Sequence, residues 1–193
     1  MLILALALAF ACPQKIQVVA PTAHSTVAAL SVRECGRLVL GPWRARVGRS
    51  GVSAHHVEGD GTTPSGTFVI GPTIYGVGRN PGVKLNYHRL ACGDWWDEDP
   101  ASPTYNSFRH VACGTDPPFG GASEPLWRDT VAYRALAVIQ YNVGPVVPGR
   151  GSGIFLHVTT GHSTNGCVSL AAPHLLELLR RLVPGATISI RTA

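Results

Sequence analysis

The chain has 193 residues, of which 45% are hydrophobic and 14% are charged, and its formal net charge is +5. This length suits one domain with a substantial core and is short for two, and the composition argues against long disordered segments. The positive charge is not gathered into a Lys/Arg block or a basic helix, so nucleic-acid binding has little support. The 22 glycines and 15 prolines favour turns and short strands over long helices.

Residues 1–11 form an uncharged apolar run, typical of the hydrophobic part of a secretory signal peptide. The run is too short to span a bilayer, and Ala9-Phe-Ala11 would serve as its cleavage site. The basic residues that usually precede such a run are missing, and a buried first strand is the alternative. Cys12 also suggests a lipid-anchored N-terminus, although the residues before it fit a lipoprotein site poorly. We expect an exported protein with a single domain over residues 12–193.

Short apolar runs bounded by turn residues predict the first strands. They cover residues 16–20, 25–32 and 37–40. Gly41-Pro42 is expected to end the third strand in a turn. His55 and His56 follow between further turns. No second group of ligands has the spacing of a zinc site, so we expect this histidine pair to face solvent and predict no metal site.

The region of residues 87–114 is rich in acidic, aromatic and turn residues. Cys92 and Cys113 lie near its two ends, each followed by a glycine, which in an exported protein predicts a disulfide. The bond would close a loop of about 20 residues and stabilise the fold by roughly 3 kcal/mol. A zinc site is the alternative, and it lacks two further ligands.

Three aromatic residues of the same region have two interpretations. Trp95, Trp96 and Tyr105 either line a wall for a sugar or peptide, or pin a long loop to the core. The sequence supports both equally. Arg150, in a glycine-rich turn further along the chain, is either an exposed arginine or a partner for a substrate carboxylate.

Alternating apolar residues over 131–141 predict a long, largely buried strand. The clearest helix of the chain opens at Ala172-Pro173 and ends before Pro184. One face of this helix carries the leucines Leu175, Leu176, Leu178, Leu179 and Leu182. A final strand is predicted over residues 186–191. Together these elements predict a mainly β domain with one principal C-terminal helix packed behind the sheet.

A candidate catalytic pair precedes this helix. The apolar run 154–156 leads to His157, and ten positions later Cys167 follows Gly166. A cysteine becomes a strong nucleophile as the thiolate, and a nearby imidazole is the usual way to hold it ionised near neutral pH. The glycine leaves room for a substrate backbone, and N–H groups of the turn could hold an oxyanion. On local chemistry alone, a small buried cysteine and an unrelated core histidine remain the alternative.

This stretch resembles the active-site signature of the L,D-transpeptidases of the YkuD type. In that signature a strand histidine is followed by a loop, then by Ser/Thr-His-Gly-Cys and an apolar residue. Thr164, Gly166, Cys167 and Val168 match the second part, and His157 matches the strand histidine. An asparagine replaces the second histidine of the signature, and a serine follows the apolar residue where many members have arginine or asparagine.

A second stretch carries the same resemblance. The family commonly has Asp-Gly-x-Thr-Pro-x-Gly-x-Phe/Tyr leading into a strand, and residues 60–68 match this pattern. Locally the stretch predicts a turn with proline geometry and a strand over residues 67–70, with no direct part in the chemistry. The resemblance therefore covers roughly residues 59–191, with both motifs in the expected order.

The resemblance implies an L,D-transpeptidase-like, β-sandwich-type fold and an exported enzyme that acts on peptidoglycan stem peptides without a cofactor. It implies that Cys167 is the nucleophile, that His157 is the general base and acid, and that Gly166, Cys167 and Asn165 form the oxyanion hole. Candidate substrate-binding residues are Thr164, Ser169, Arg150, Trp95, Trp96 and Tyr133. The expected thioester is resolved by the side-chain amine of a second stem, which makes a 3-3 cross-link.

Three other functions compete with this one. Hydrolysis of the same stems, an L,D-carboxypeptidase-type reaction, shares the acyl-enzyme and differs only in the acceptor. A wall-binding module with an inactive cysteine would be indicated by loss of His157 or Cys167, and both are present. A papain-type protease would need a cysteine on a helix near the N-terminus, which this sequence lacks.

Overall fold

The structure of the protein, a computed structural model, describes residues 12–193. The predicted targeting segment, residues 1–11, lies outside the described residues. The strands are β1 (Gln14–Ala20), β2 (Val27–Glu34), β3 (Arg37–Arg46), β4 (Val52–Ser53), β5 (Thr63–Pro64), β6 (Gly66–Gly76), β7 (Asn86–Arg89), β8 (Asp94–Asp97), β9 (Ser107–His110), β10 (Glu124–Pro125), β11 (Leu136–Ile139), β12 (Phe155–Val158), β13 (Val168–Leu170) and β14 (Thr187–Thr192). The α-helix α1 covers Ala172–Arg181, and a 3₁₀ turn covers Ala132–Arg134.

Nine of the strands form one sheet that closes on itself. Their order is β11-β12-β13-β3-β2-β1-β14-β6-β7, and β6 also pairs with β11. Apolar residues alternate along the strands, as Ile16 and Val18 do in β1, and both are fully buried. Leu175, Leu178 and Leu179 of α1 join the same core. The prediction of a mainly β domain with one principal helix is confirmed.

A second layer, which we call the cover segment (residues 90–134), packs on the outer face of β11 and β12. Its three-stranded sheet has the order β10-β8-β9. Trp96, Leu126 and Tyr133 of the cover segment form a second apolar cluster with Phe155 of β12. The predicted disulfide between Cys92 and Cys113 closes this segment, with Cα atoms 5.2 Å apart.

A buried carboxylate fixes the start of the cover segment. Asp94 is 1% exposed and lies 2.8 Å from His88 Nε2 and 2.7 Å from His110 Nδ1. Burial alone would raise the pKa of Asp94, but hydrogen bonds from these two histidines and from a backbone N–H lower it below its usual value. The ionised carboxylate therefore ties β7 and β9 to β8.

The prediction of a long strand over residues 131–141 is wrong for the first half of that range. Asp129 Oδ1 accepts hydrogen bonds from the N–H groups of Val131 and Ala132 at 3.1 and 2.8 Å. This contact starts the 3₁₀ turn Ala132–Arg134, and the strand begins only at Leu136. The side-chain hydrogen bonds thus override the alternating pattern.

The prediction of a turn at Gly41-Pro42 is also wrong, because β3 continues through these two residues to Arg46. The pairing of β2 with β3 shifts register at this point, and Pro42 lies exposed in the irregularity. A Cβ at Gly41 would lie 2.5 Å from the carbonyl oxygen of Leu30. Glycine therefore lets the neighbouring strand approach closely.

A second disulfide joins Cys12 to Cys35, with Cα atoms 5.1 Å apart. The sequence did not predict a role for Cys35. Because its sulfur is bonded to Cys35, Cys12 has no free thiol to carry a lipid. Between residues 12 and 193, no helix has the length and apolarity needed to cross a membrane.

Candidate active site

Two adjacent parallel strands position the candidate catalytic pair. β12 and β13 pair with His157 opposite Ser169, which brings Cys167 opposite Phe155. Side chains alternate across a strand, so Phe155, His157 and Cys167 share one face of the sheet, the face under the cover segment. Diagonal neighbours on adjacent strands are about 7–8 Å apart, within reach of long side chains.

His157 is oriented by a backbone carbonyl. The residue is 8% exposed, and its Nδ1 lies 2.8 Å from the carbonyl oxygen of Val158. A carbonyl oxygen only accepts, so Nδ1 carries the proton and Nε2 keeps its lone pair. The ring of Tyr133 packs edge-on against the imidazole, with 5.8 Å between ring centroids. Burial lowers the pKa of His157, which makes it a neutral imidazole with Nε2 available as a base.

Cys167 carries the only free thiol of the described chain. Its Sγ accepts a hydrogen bond from the N–H of Phe155 at 3.3 Å and donates to the carbonyl oxygen of Gly153 at 3.2 Å. Burial raises the pKa of the Cys167 thiol, and the charges of Glu124 and Glu98 raise it further. The resting cysteine is therefore a protonated thiol.

No hydrogen bond joins His157 to Cys167 among the described residues. Both groups are uncharged at rest, whereas the sequence suggested a thiolate held by an imidazole. The sulfur points to Gly153, so it must turn toward Nε2 to lose its proton. This arrangement suits a base that removes the proton as the sulfur attacks.

The turn before Cys167 is held by its own hydrogen bonds. Thr164 Oγ1 donates to the carbonyl oxygen of Cys167 at 2.6 Å and accepts from the N–H of Gly166 at 3.2 Å. Asn165 Oδ1 accepts from Arg49 Nε at 3.2 Å. The hydroxyl of Thr164 is thus occupied in building the turn. Within the described chain, no hydrogen bond occupies the backbone N–H of Cys167.

The second sequence motif supports this turn. Asp60 accepts hydrogen bonds from His56 Nδ1 at 2.9 Å and from two backbone N–H groups. Thr63 Oγ1 lies 3.4 Å from the carbonyl oxygen of Cys167. His56 is 5% exposed, so the expectation that both histidines face solvent is wrong for it, whereas His55 is exposed. Asp60 supplies the partner that allows His56 to be buried.

A cleft of about 250 Å³ opens beside the cysteine. Its lining includes Cys167, Asn165, Arg49, Glu58, Glu98 and Glu124, and it does not include His157. Sequence reasoning missed the three glutamates, because they come from separate segments of the chain. The only sequence signal was the acidic composition around residues 97–99.

Glu98 is the most perturbed of these carboxyl groups. It is 8% exposed, and burial raises its pKa to about 9, with additional contributions from Glu124, Glu58 and Asp97. Burial also raises the pKa of Glu124, although the hydroxyl of Tyr133 donates to it. Burial and these acidic groups raise the pKa of the Cys167 thiol, although Arg49 lines the same cleft.

The family model YkuD, described as the L,D-transpeptidase catalytic domain, matches residues 15–190. The chain belongs to this family. The match extends upstream of the two motifs found in the sequence, to β1. No curated protein matches the chain.

Among solved structures, the L,D-transpeptidases of three bacteria are similar to this domain. The Stackebrandtia nassauensis protein has 16% sequence identity and a TM-score of 0.42, with 92% of this chain and 55% of that chain covered. The Mycobacterium smegmatis protein has 14% sequence identity and a TM-score of 0.42, with 92% of this chain and 58% of that chain covered. Mycobacterium tuberculosis L,D-transpeptidase 1 has 12% sequence identity and a TM-score of 0.38, with 92% of this chain and 62% of that chain covered. The chain thus spans little more than half of their length, and the family assignment rests on the family model.

The raised pKa of Glu98 in this L,D-transpeptidase domain predicts a pH-dependent stability. The folded-state pKa is about 9 against an ordinary 4.5, so between these values the folded protein binds more protons than the unfolded chain, and its stability falls as pH rises. Glu98→Gln should remove this loss of folding stability at high pH, because glutamine does not ionise. In urea unfolding, the variant should gain more stability over the wild type at pH 8 than at pH 5. Glu177→Gln, exposed on α1, is the control; a pH-independent difference for Glu98→Gln would contradict the prediction.

The tryptophans hold the cover segment of the L,D-transpeptidase domain together. Trp96 is 5% exposed, and its Nε1 donates to Asn106 Oδ1 at 3.0 Å. Trp95 packs edge-on against Trp127 at 5.3 Å between ring centroids. Neither lines the cysteine cleft, which favours the pinning interpretation. Arg150 is exposed and also lies outside the cleft lining.

Ser169 lines a second depression, of about 370 Å³. The residue is 1% exposed, and its Oγ has no hydrogen-bond partner among the described residues. Arg44 and Arg46 of β3 line the same depression. The L,D-transpeptidase domain therefore presents an acidic cleft beside Cys167 and a basic depression beside Ser169.

Proposed function

We propose that this L,D-transpeptidase domain is an exported enzyme that acylates Cys167 with peptidoglycan stem peptides. The observation that carries the proposal is His157, whose Nδ1 is committed to the Val158 carbonyl while Nε2 faces the side of the sheet that bears the free thiol. The two disulfides support export, because such bonds form and persist in oxidising compartments.

In the proposed acylation, the Cys167 sulfur attacks the carbonyl carbon of the third residue of the stem, a diamino acid. His157 Nε2 takes the thiol proton as the carbon–sulfur bond forms. The carbon–nitrogen bond then breaks, and the imidazolium returns the proton to the leaving amine, so terminal D-alanine departs and a thioester remains. The reaction needs no cofactor.

Backbone groups of the cysteine turn would stabilise the oxyanion. The N–H of Cys167 has no hydrogen-bond partner in residues 12–193, while the N–H of Gly166 donates to Thr164 Oγ1. The amide of Asn165, at the cleft entrance, is a third donor. Removal of one such donor typically slows acyl transfer by about 10²–10³-fold.

Charged groups around the pair would orient the stems. Arg49 lies in the cleft beside Asn165 and suits the carboxylate of the departing D-alanine. In the second depression, Arg44 and Arg46 lie beside Ser169, whose Oγ has no partner among the described residues, and they suit a second carboxylate of the stem. The thioester is then resolved by the side-chain amine of a second stem, which forms the 3-3 cross-link.

Mass spectrometry of the intact protein tests this function. A tetrapeptide stem should add the mass of its first three residues to the protein and release D-alanine. A primary amine acceptor should then remove the adduct and yield a cross-linked peptide. Release of free tripeptide at the same rate with and without the acceptor would instead identify an L,D-carboxypeptidase-type hydrolase. Absence of both adduct and product would identify a wall-binding module.

A further inference from the structure

The three glutamates of the cleft differ in their partners. Glu58 and Glu124 each accept hydrogen bonds from hydroxyl groups of neighbouring side chains. Glu98 uses its backbone N–H in a hydrogen bond to Ser123 Oγ, but no donor among the described residues lies within hydrogen-bond distance of its carboxyl group. The Glu98 carboxyl oxygens are not among the fully buried unpartnered atoms and open onto the cleft, where a ligand that supplies N–H groups could bind them.

Glu98 is directed into the cleft beside the cysteine. The residue is 8% exposed and lines the cavity. A Cβ added at Gly153 would lie 1.7 Å from Glu98 Oε1, so the carboxyl group rests against the Gly153 backbone. The carbonyl oxygen of this same Gly153 accepts the Cys167 hydrogen bond at 3.2 Å. A group bound by Glu98 would therefore reach a thioester on Cys167.

We propose that Glu98 binds the ammonium group of the amine acceptor and takes one of its protons. An ammonium offers three donors and a positive charge to a cleft that holds three carboxyl groups. This inference rests on the proposed function, since an acceptor is needed only if a thioester forms. It adds a specificity-determining residue outside both sequence motifs.

The aminolysis step balances with Glu98 as the proton acceptor. The acceptor enters as an ammonium and displaces the resting proton of the Glu98 carboxyl group to solvent. It then transfers one of its own protons to the Glu98 carboxylate, which leaves a neutral amine and restores the resting carboxyl group. The amine lone pair attacks the thioester carbon, the carbon–nitrogen bond forms and the carbon–sulfur bond breaks. The second amine proton passes through His157 to the departing sulfur, which restores the Cys167 thiol. One proton stays on nitrogen in the new amide.

The site should bind ammonium better as pH rises. Glu98 keeps its proton up to a pKa of about 9, so an incoming cation must displace that proton. The charged and titratable groups that face it are Glu58, Glu124, Asp97, Arg49, His56 and the Cys167 thiol. Affinity for a permanently protonated probe should therefore increase between pH 7 and 9.

A binding titration tests the site without requiring activity. Propylammonium and propanol are titrated into the full chain at pH 7 and 9 and followed by amide chemical shifts. The wild type should prefer propylammonium by about tenfold or more at pH 9, a typical gain for one charge-assisted hydrogen bond. Glu98→Gln should lose this preference, Glu98→Asp should keep part of it, and Glu177→Gln should match the wild type. An equal preference in wild type and Glu98→Gln overturns the proposal.

A second measurement uses the acyl-enzyme, where it forms. Propylamine and hydroxylamine compete for the thioester at pH 9, where Glu98 can give up its proton; the first is still mainly cationic in solution and the second is uncharged. Glu98→Gln should lower the ratio of propylamine to hydroxylamine products by about tenfold or more. An unchanged ratio with a normal adduct overturns the role of Glu98 and leaves the transpeptidase proposal standing. Ammonium binding that depends on Glu98, in a protein that never forms the adduct, supports the cation site and overturns the transpeptidase proposal.

Discussion

Replacing Cys167 with alanine is expected to abolish acyl-enzyme formation, with a loss on the order of 10⁴-fold or more. No other free thiol is present in residues 12–193. The hydroxyl of Thr164 is committed to the Cys167 carbonyl at 2.6 Å, and Ser169 Oγ is buried. Ser169 lies opposite His157 on the adjacent strand, but no hydrogen bond joins its Oγ to the imidazole. Intact mass after exposure to the tetrapeptide stem measures the adduct.

Two controls separate chemistry from folding in this experiment. The thermal unfolding of Cys167→Ala should resemble that of the wild type, because only one small side chain is trimmed. Cys167→Ser keeps a nucleophilic atom, but the weaker nucleophile should acylate far more slowly. A stem adduct of normal yield on Cys167→Ala would show that the nucleophile has been misassigned.

The sequence predicted the strands and the turn that carry the candidate pair because their signals are local. His157 ends an apolar run, Cys167 follows a glycine turn, and the two strands pair in parallel. The helix after the cysteine could also be predicted from the sequence, since its leucines recur at helical spacing and a proline lies in its first turn. Such features depend on neighbours within about ten residues, and periodicity and turn chemistry describe them well.

The acidic cleft was not predictable in the same way. Glu58, Glu98 and Glu124 lie in three separate segments, and only the packing of the cover segment brings them to one cavity. The disulfide between Cys12 and Cys35 is a similar case, because spacing alone does not choose partners among five cysteines. The 3₁₀ turn before β11 depends on the Asp129 side chain, which a pattern of apolar residues does not include.

Replacing His157 with glutamine is expected to slow acylation by about 10²–10⁴-fold, the usual contribution of a positioned base. Glutamine can still donate to the Val158 carbonyl, but it cannot take the thiol proton. Stopped-flow or quenched intact-mass measurements give the rate. Because His157 and Cys167 would act as a unit, adding His157→Gln to Cys167→Ala should cost little more.

The pH dependence gives this prediction its sharpest test. Burial lowers the pKa of His157 below the ordinary 6.5, so the base remains neutral, and acylation should stay near its maximum, until the pH falls below that value. Burial and the neighbouring glutamates raise the pKa of the Cys167 thiol, so alkylation by iodoacetamide should keep accelerating above pH 8.5, the region where an ordinary thiol ionises. In His157→Gln the acid limb of the acylation profile should disappear. A thiol that is already fully reactive at pH 6 would instead indicate a resting thiolate–imidazolium pair and would contradict a base that acts during attack.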